Sequence, residues 1–185
     1  MTSKSNQAED FLNSDVLSDD FFISIVENKL KITRDKFKLR LVLLFPAAGK
    51  NENFTSVLFR AKIKIEHNDG RKESIQAIIK ALLEMMPEFK EFGVFPRERR
   101  MYEGVISSFQ KIWEEVGVEV NFGPKSIKFE TDPYEILVMD DLAEGGYVMA
   151  ERKVGVDLKV AKLLLQKLAK FHAASAIRFE TVSSL

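Results

Sequence analysis

The sequence has no cysteine, which excludes disulfides, thiolate nucleophiles and cysteine-ligated zinc. It has only two histidines, His67 and His172, too far apart in the chain to form a histidine-rich metal motif. An oxygen-ligand site for Mg²⁺ is not excluded, because carboxylates suffice for it. No charge of one sign is in excess: Lys plus Arg and Asp plus Glu stand at 28 each. Nothing global therefore draws the chain to nucleic acid or to an anionic membrane, and neither is expected as a partner. Long hydrophobic runs are missing too. The longest, Leu41 to Ala48, is far short of a membrane span. The opening MTSKSNQAEDFLNSD lacks an apolar core of the secretory kind and begins with Met1, so a cytoplasmic location is expected.

What is present is ordinary for a globular chain. Of 185 residues, 45% are hydrophobic and 30% charged, enough to bury a sizeable core. Residues 1–18 are polar, acidic and aperiodic, and a mobile tail is expected there. Phe21, Phe22, Ile25 and Val26 share one face of a short helix, with Ser18 or Asp19 as its cap. Three strands follow: Phe37 to Phe45, Phe54 to Ile65 and Glu73 to Lys80. Along the second, Val57, Phe59, Ala61, Ile63 and Ile65 fall on one side. Asn68-Asp69-Gly70 is a turn signal between the second and third.

The period then changes. Met101, Tyr102, Val105, Ile106, Phe109, Ile112 and Trp113 recur at three- and four-residue spacing, which predicts one long helix from Phe95 through Val116, ended by Gly117. Pro124 to Glu130 and Glu135 to Met139 read as two more strands. Gly145-Gly146 reads as a flexible joint, and Asp157 to about Phe179 as a last helix. Its apolar stripe runs through Val160, Ala161, Leu164, Leu168, Phe171 and His172. A strand cluster with helices segregated around it is the α+β class.

Five features could carry chemistry, and each has a plain structural reading beside the functional one. The loop Gly49 to Ser56 can offer backbone N–H groups and the Thr55 and Ser56 hydroxyls to phosphate oxygens, or be an ordinary hairpin loop. It is not a Walker A loop. Lys80 ends an apolar strand. It either holds phosphate as a point charge or sits in solvent at the strand end. Glu98, just after Pro96, suits the first turn of a helix by its charge alone, and could equally orient Lys80 through an ion pair. Arg97, Arg99 and Arg100 read as a solvated helix face. The apolar strand Ile136 to Met139 runs into Asp140, Asp141 and Leu142, which suits a hinge whose backbone reads the edge of a flat base. The two acids could instead cap a turn. As neighbours they point apart, which disfavours a shared metal. His172 on its apolar stripe reads as a packed histidine, with no nucleophile elbow to serve.

The order of these features is more telling than any one of them. A loop between strands one and two, a lysine closing strand three, a glutamate in the next helix and a strand leading to a hinge follow the plan of a protein-kinase-like N-lobe. The phrases GKNENFTSVLFRAKI, IIKAL, VFPRERRMYEGV, ILVMDDL and LAKFHAASA resemble the ecdysteroid kinase-like family, within the wider choline kinase and aminoglycoside phosphotransferase group. The resemblance covers roughly residues 35 to 178. It implies ATP and Mg²⁺ as cosubstrates, and a hydroxyl on a small molecule as acceptor, with ecdysteroid the name-giving one. It further implies that Gly49, Asn53 and Ser56 cover the phosphates, that Lys80 contacts them while held by Glu98, and that Met139, Asp140, Asp141 and Leu142 line the adenine pocket.

The fold this implies is a five-stranded antiparallel sheet with one long helix over residues 19–139, a hinge and linker over 140–156, and the first C-lobe helix over 157–185. The family's catalytic base lies in a His-Gly-Asp phrase beyond the LAKFHAASA helix, followed by metal-binding Asn and Asp. No His-Gly-Asp occurs here and no substitute His-x-Asp is expected. The chain is expected to be the nucleotide-binding part of a small-molecule kinase, with no catalytic or metal-binding residue of its own. The alternative is a catalytically dead module that binds nucleotide or protein.

Overall fold

A computed structural model describes residues 9–47, 56–82, 93–151 and 153–183. The chain divides into two compact units. One is formed by Met1–Arg99 with Lys125–Asp141, the other by Arg100–Pro124 with Leu142–Leu185.

The first unit holds five strands: β1 (Phe37–Pro46), β2 (Ser56–His67), β3 (Lys72–Leu82), β4 (Ser126–Glu130) and β5 (Ile136–Asp140). They form one sheet in the order β1-β2-β3-β5-β4, and every neighbouring pair is antiparallel. The class is α+β, as the strand pattern implies. The β2–β3 turn needs a left-handed residue, and Gly70 takes φ +84° there without a Cβ penalty. Asp69 Oδ1 accepts from Arg71 N at 2.9 Å and closes the turn.

One face of the sheet is the core. Phe59, Ala61, Ile63 and Ile65 of β2 meet Ile75, Ala77 and Ile79 of β3, all buried. Helix α1 (Asp19–Leu30) covers this face with Phe21, Phe22, Ile25 and Val26. Ser18 caps it by accepting from Phe21 N. The expectation of a mobile tail fails over residues 9–18. Residues 9–12 are helical, Asp15–Leu17 form a 3₁₀ turn, and Phe11 is 2% exposed. Its ring stacks on Phe59 at 6.0 Å and meets Tyr134 edge-on at 5.4 Å. One aromatic anchor in a polar segment leaves no period to read.

The helix expected as continuous from residue 95 to 116 is broken in type. Helix α2 (Val94–Arg100) passes into a π turn over Met101–Val105, then into α3 (Ile106–Glu114). Ile106 N donates to Met101 O, the wider spacing of a π turn, with Gly104 inside it. Gly117, at φ +75°, ends the run in a Schellman arrangement. Its N–H donates to Glu114 O at 2.9 Å, and Val118 N–H donates to Trp113 O at 2.9 Å.

In the second unit, α4 (Leu158–Ser183) packs on α3. Phe171 lies 4.9 Å from Phe109 and 5.5 Å from Phe122, ring centre to ring centre. Trp113 Nε1 donates to Lys170 O at 3.0 Å, and Arg178 donates to Ser108 Oγ at 3.0 Å. The predicted apolar stripe is only partly used: Val160, Leu164 and Leu168 are exposed, as is His172, which was expected to be packed.

Candidate functional site

The register of the sheet sorts the candidate residues. Leu58 lies opposite Lys80, Ser56 opposite Leu82, Lys80 opposite Leu137 and Ile78 opposite Met139. Directly paired residues share a face, and alternate residues along a strand do too. Ser56, Lys80 and Met139 therefore project from the face opposite α1. Ser56 and Met139 are buried, at 3% and 9% exposure.

Lys80 is neither in open solvent nor alone. Its Nζ donates to Glu98 Oε1 at 2.8 Å and to Oε2 at 2.7 Å, with both side chains about a quarter exposed. The Phe95 ring centre lies 5.3 Å from the same nitrogen. Helix α2 supplies both partners, and Pro96 in its first turn costs no donor. An ammonium held by a carboxylate on one side and packed on a ring is a pre-oriented point charge for an anion.

The two acids at the end of β5 are engaged in opposite directions. Asp141 is buried and accepts from Arg60 Nε, with Arg60 Nη2 at 3.3 Å from its second oxygen. Arg60 continues the alternation of Ser56 and Leu58, so this pair lies on the Lys80 face. Asp140 instead meets Lys29 of α1 at 3.1 Å, and Lys29 also donates to Gln76 O at 2.7 Å. The backbone N–H of Asp140 donates to Lys125 O at 2.9 Å, so it is not available to read a base. Leu142 opens a 3₁₀ turn (Leu142–Gly145) in the second unit, and its carbonyl accepts from Tyr147 N at 3.3 Å. Gly49, Asn53 and Thr55 lie outside the described residues.

Contrary to the expectation that the chain holds no His-x-Asp, one does occur: His67-Asn68-Asp69. It forms the β2–β3 corner. His67 Nε2 pairs with Glu73 Oε2 at 2.7 Å, and Asp69 closes the turn, so both side chains are occupied by the hairpin itself. Among the described residues no group of three or more His, Cys, Asp or Glu could hold a metal. Nor is any described helix long and apolar enough to cross a membrane. Arg60 and Lys29 were missed by the sequence reading. Their signal was the parity of Arg60 with Lys80 across the hairpin and the cation in the last turn of α1.

A five-stranded antiparallel sheet, a lysine on its third strand and a glutamate from the following helix clamped on that lysine are compatible with the N-lobe of a kinase-like fold. The chain belongs to the ecdysteroid kinase-like family, whose family model matches residues 50–184. The match begins later than the expected residue 35, so α1 and all of β1 lie outside it. No curated protein matches the chain, and no solved structure does. Kinase-like enzymes in general use ATP with Mg²⁺.

Proposed function

We propose that this chain binds the ATP of a small-molecule kinase that phosphorylates a hydroxyl group, with ecdysteroid the acceptor that the family's name suggests. The observation that carries the reading is the two-pronged contact of Lys80 with Glu98. Glu98 keeps the ammonium from swinging to solvent, and Lys80 then meets phosphate oxygens as a fixed positive charge. Ser56, on the same face, joins Gly49 and Asn53 in covering the phosphates. Met139 and Asp141 contribute to the adenine site, with Arg60 fixing the Asp141 side chain. Mg²⁺, when it accompanies ATP, neutralises charge that develops on the phosphates.

No residue of this sequence is assigned as catalytic base. His67-Asn68-Asp69 is a hairpin corner, and no His-Gly-Asp occurs. Binding without turnover is the expectation for these 185 residues. A second reading, a dead module that binds protein, is favoured by one observation. Leu163, Leu164, Leu165 and Leu168 of α4 are exposed at 57%, 55%, 64% and 49%.

The test is a thermal melt with Mg²⁺·ATP, beside an ATP-consumption assay. Ligand at 100 times its Kd adds about 2.7 kcal/mol of stability. At roughly 2–4 °C per kcal/mol for a chain of this size, the midpoint should rise by about 5–10 °C. The rise should vanish in a folded Lys80→Ala variant. No rise at about 5 mM ATP overturns the nucleotide reading and leaves the protein-binding one.

A further inference from the structure

Phe95, the ring on which the Lys80 ammonium packs, also borders a small cavity of about 80 Å³. The cavity lies within the first unit, between α2 and the ends of β4 and β5. Phe95 and Pro96 of α2 form one wall, and Phe129 and Ile136 of the sheet form the other. The lining is almost all carbon.

Charge does not select an occupant here. Glu130, at the margin, pairs with Lys128. Arg99 lies over the Phe129 ring at 5.4 Å and has a further partner of its own. Oε2 of Glu135 is buried and is not reached from the cavity. The site is therefore neutral as well as apolar. Water suits it poorly, because a buried water needs two to four polar partners. A small apolar molecule suits it better: a dry apolar cavity of about 150 Å³ encloses benzene whole. This one has about half that volume, and Thr131 at its margin is exposed, so a ring enters there with one edge inside. Two aromatic walls favour an aromatic guest through edge-to-face contact.

We propose that this cavity binds a small neutral aromatic molecule, and that its occupancy steadies the Lys80–Glu98 pair. Phe95, Glu98 and Arg99 stand three and four residues apart on α2 and so share one face of it. The cavity exists only while that face is seated on the sheet, and Glu98 reaches Lys80 only from the same seat. Phe95 joins the two places directly, its ring centre 5.3 Å from Lys80 Nζ. A guest that binds only the seated helix stabilises that seat, and the ion pair favours the guest by the same factor. Guest binding needs no nucleotide; only the use made of a steadied Lys80 rests on the nucleotide reading.

The test titrates the whole ¹⁵N-labelled chain with benzene, and separately with 1,4-dioxane, a polar ring of equal size. Backbone amides of Phe95, Phe129 and Ile136 should shift saturably with benzene, with a Kd on the order of 1 mM, and not with dioxane. These two arms need no variant. Phe129→Trp, which fills the cavity, should abolish the shifts. Glu98→Ala, which leaves the walls intact, should weaken benzene about threefold. The β2–β3 amides report that each variant is folded. No saturable shift by about 15 mM benzene overturns the site, as does equal binding of dioxane or undiminished binding to folded Phe129→Trp. Undiminished binding to folded Glu98→Ala overturns the link to Lys80. Because no nucleotide is present, these outcomes stand apart from success or failure of the ATP melt.

Discussion

Removing either partner of the Lys80–Glu98 pair should cost stability, and removing both should cost little more. Two N–H···O contacts of 2.7 and 2.8 Å join the groups, each about a quarter exposed. A fully exposed ion pair contributes about 0–1 kcal/mol, whereas hydrogen bonds to charged groups in drier surroundings contribute about 1.5–3 kcal/mol. The exposure places this pair between those limits, so we expect a coupling of about 1–2 kcal/mol. Lys80→Met should lose slightly more than Glu98→Gln, because it also gives up the ammonium's contact with Phe95, roughly 0.5–1 kcal/mol. Urea unfolding of the four proteins at pH 7, compared at a common slope, reads the coupling directly. Additivity within about 0.3 kcal/mol would mean that the contact contributes no net energy, and the argument that Glu98 holds Lys80 in place would fail. The same Glu98→Gln protein should bind Mg²⁺·ATP more weakly, by about tenfold, if orientation of the ammonium is what Glu98 supplies.

Phe11→Ala should destabilise the first unit by about 3–5 kcal/mol, because the ring is 2% exposed between Phe59 and Tyr134; a loss under about 1 kcal/mol in denaturant melts would return residues 9–18 to the status of a tail. Arg60→Ala should cost about 2–3 kcal/mol by the same assay, since it removes two donors from the buried Asp141 carboxylate. Gly117→Ala should cost about 1 kcal/mol, with no steric part, because an added Cβ meets no atom within 4 Å and only the positive φ resists it. The Thr33 hydroxyl, and after it Lys36, hold the Asp35 carboxyl below its usual range, so Thr33→Val should move its titration upward when followed by NMR.

Which parts of this site could be read without coordinates depends on how far apart their causes lie in the chain. The β2–β3 register is local. A turn centred on Asp69 sets Leu58 opposite Lys80, and strand parity then puts Ser56 and Arg60 on the lysine's face. The sheet's class and the end of α3 at Gly117 are local in the same sense. The π turn was not legible, because Met101 to Val105 keeps a helical spacing whether its hydrogen bonds span four residues or five. Phe11 was not legible, because its partners, Phe59 and Tyr134, lie far along the chain. The hinge acids show the limit most clearly. Adjacent carboxylates were expected to point apart, and they do, but what receives them could not be read locally. Lys29 waits for Asp140 on the α1 side of the sheet, and Arg60 waits for Asp141 on the other. The end of β5 is therefore held from both faces by side-chain ion pairs. Substitutions at Arg60 and Lys29 should shift the backbone of residues 140–141 rather than remove a group that touches ligand. If so, Arg60→Ala would weaken Mg²⁺·ATP binding without altering the Lys80–Glu98 coupling. A change in that coupling would mean instead that the two ends of the sheet face act as one unit.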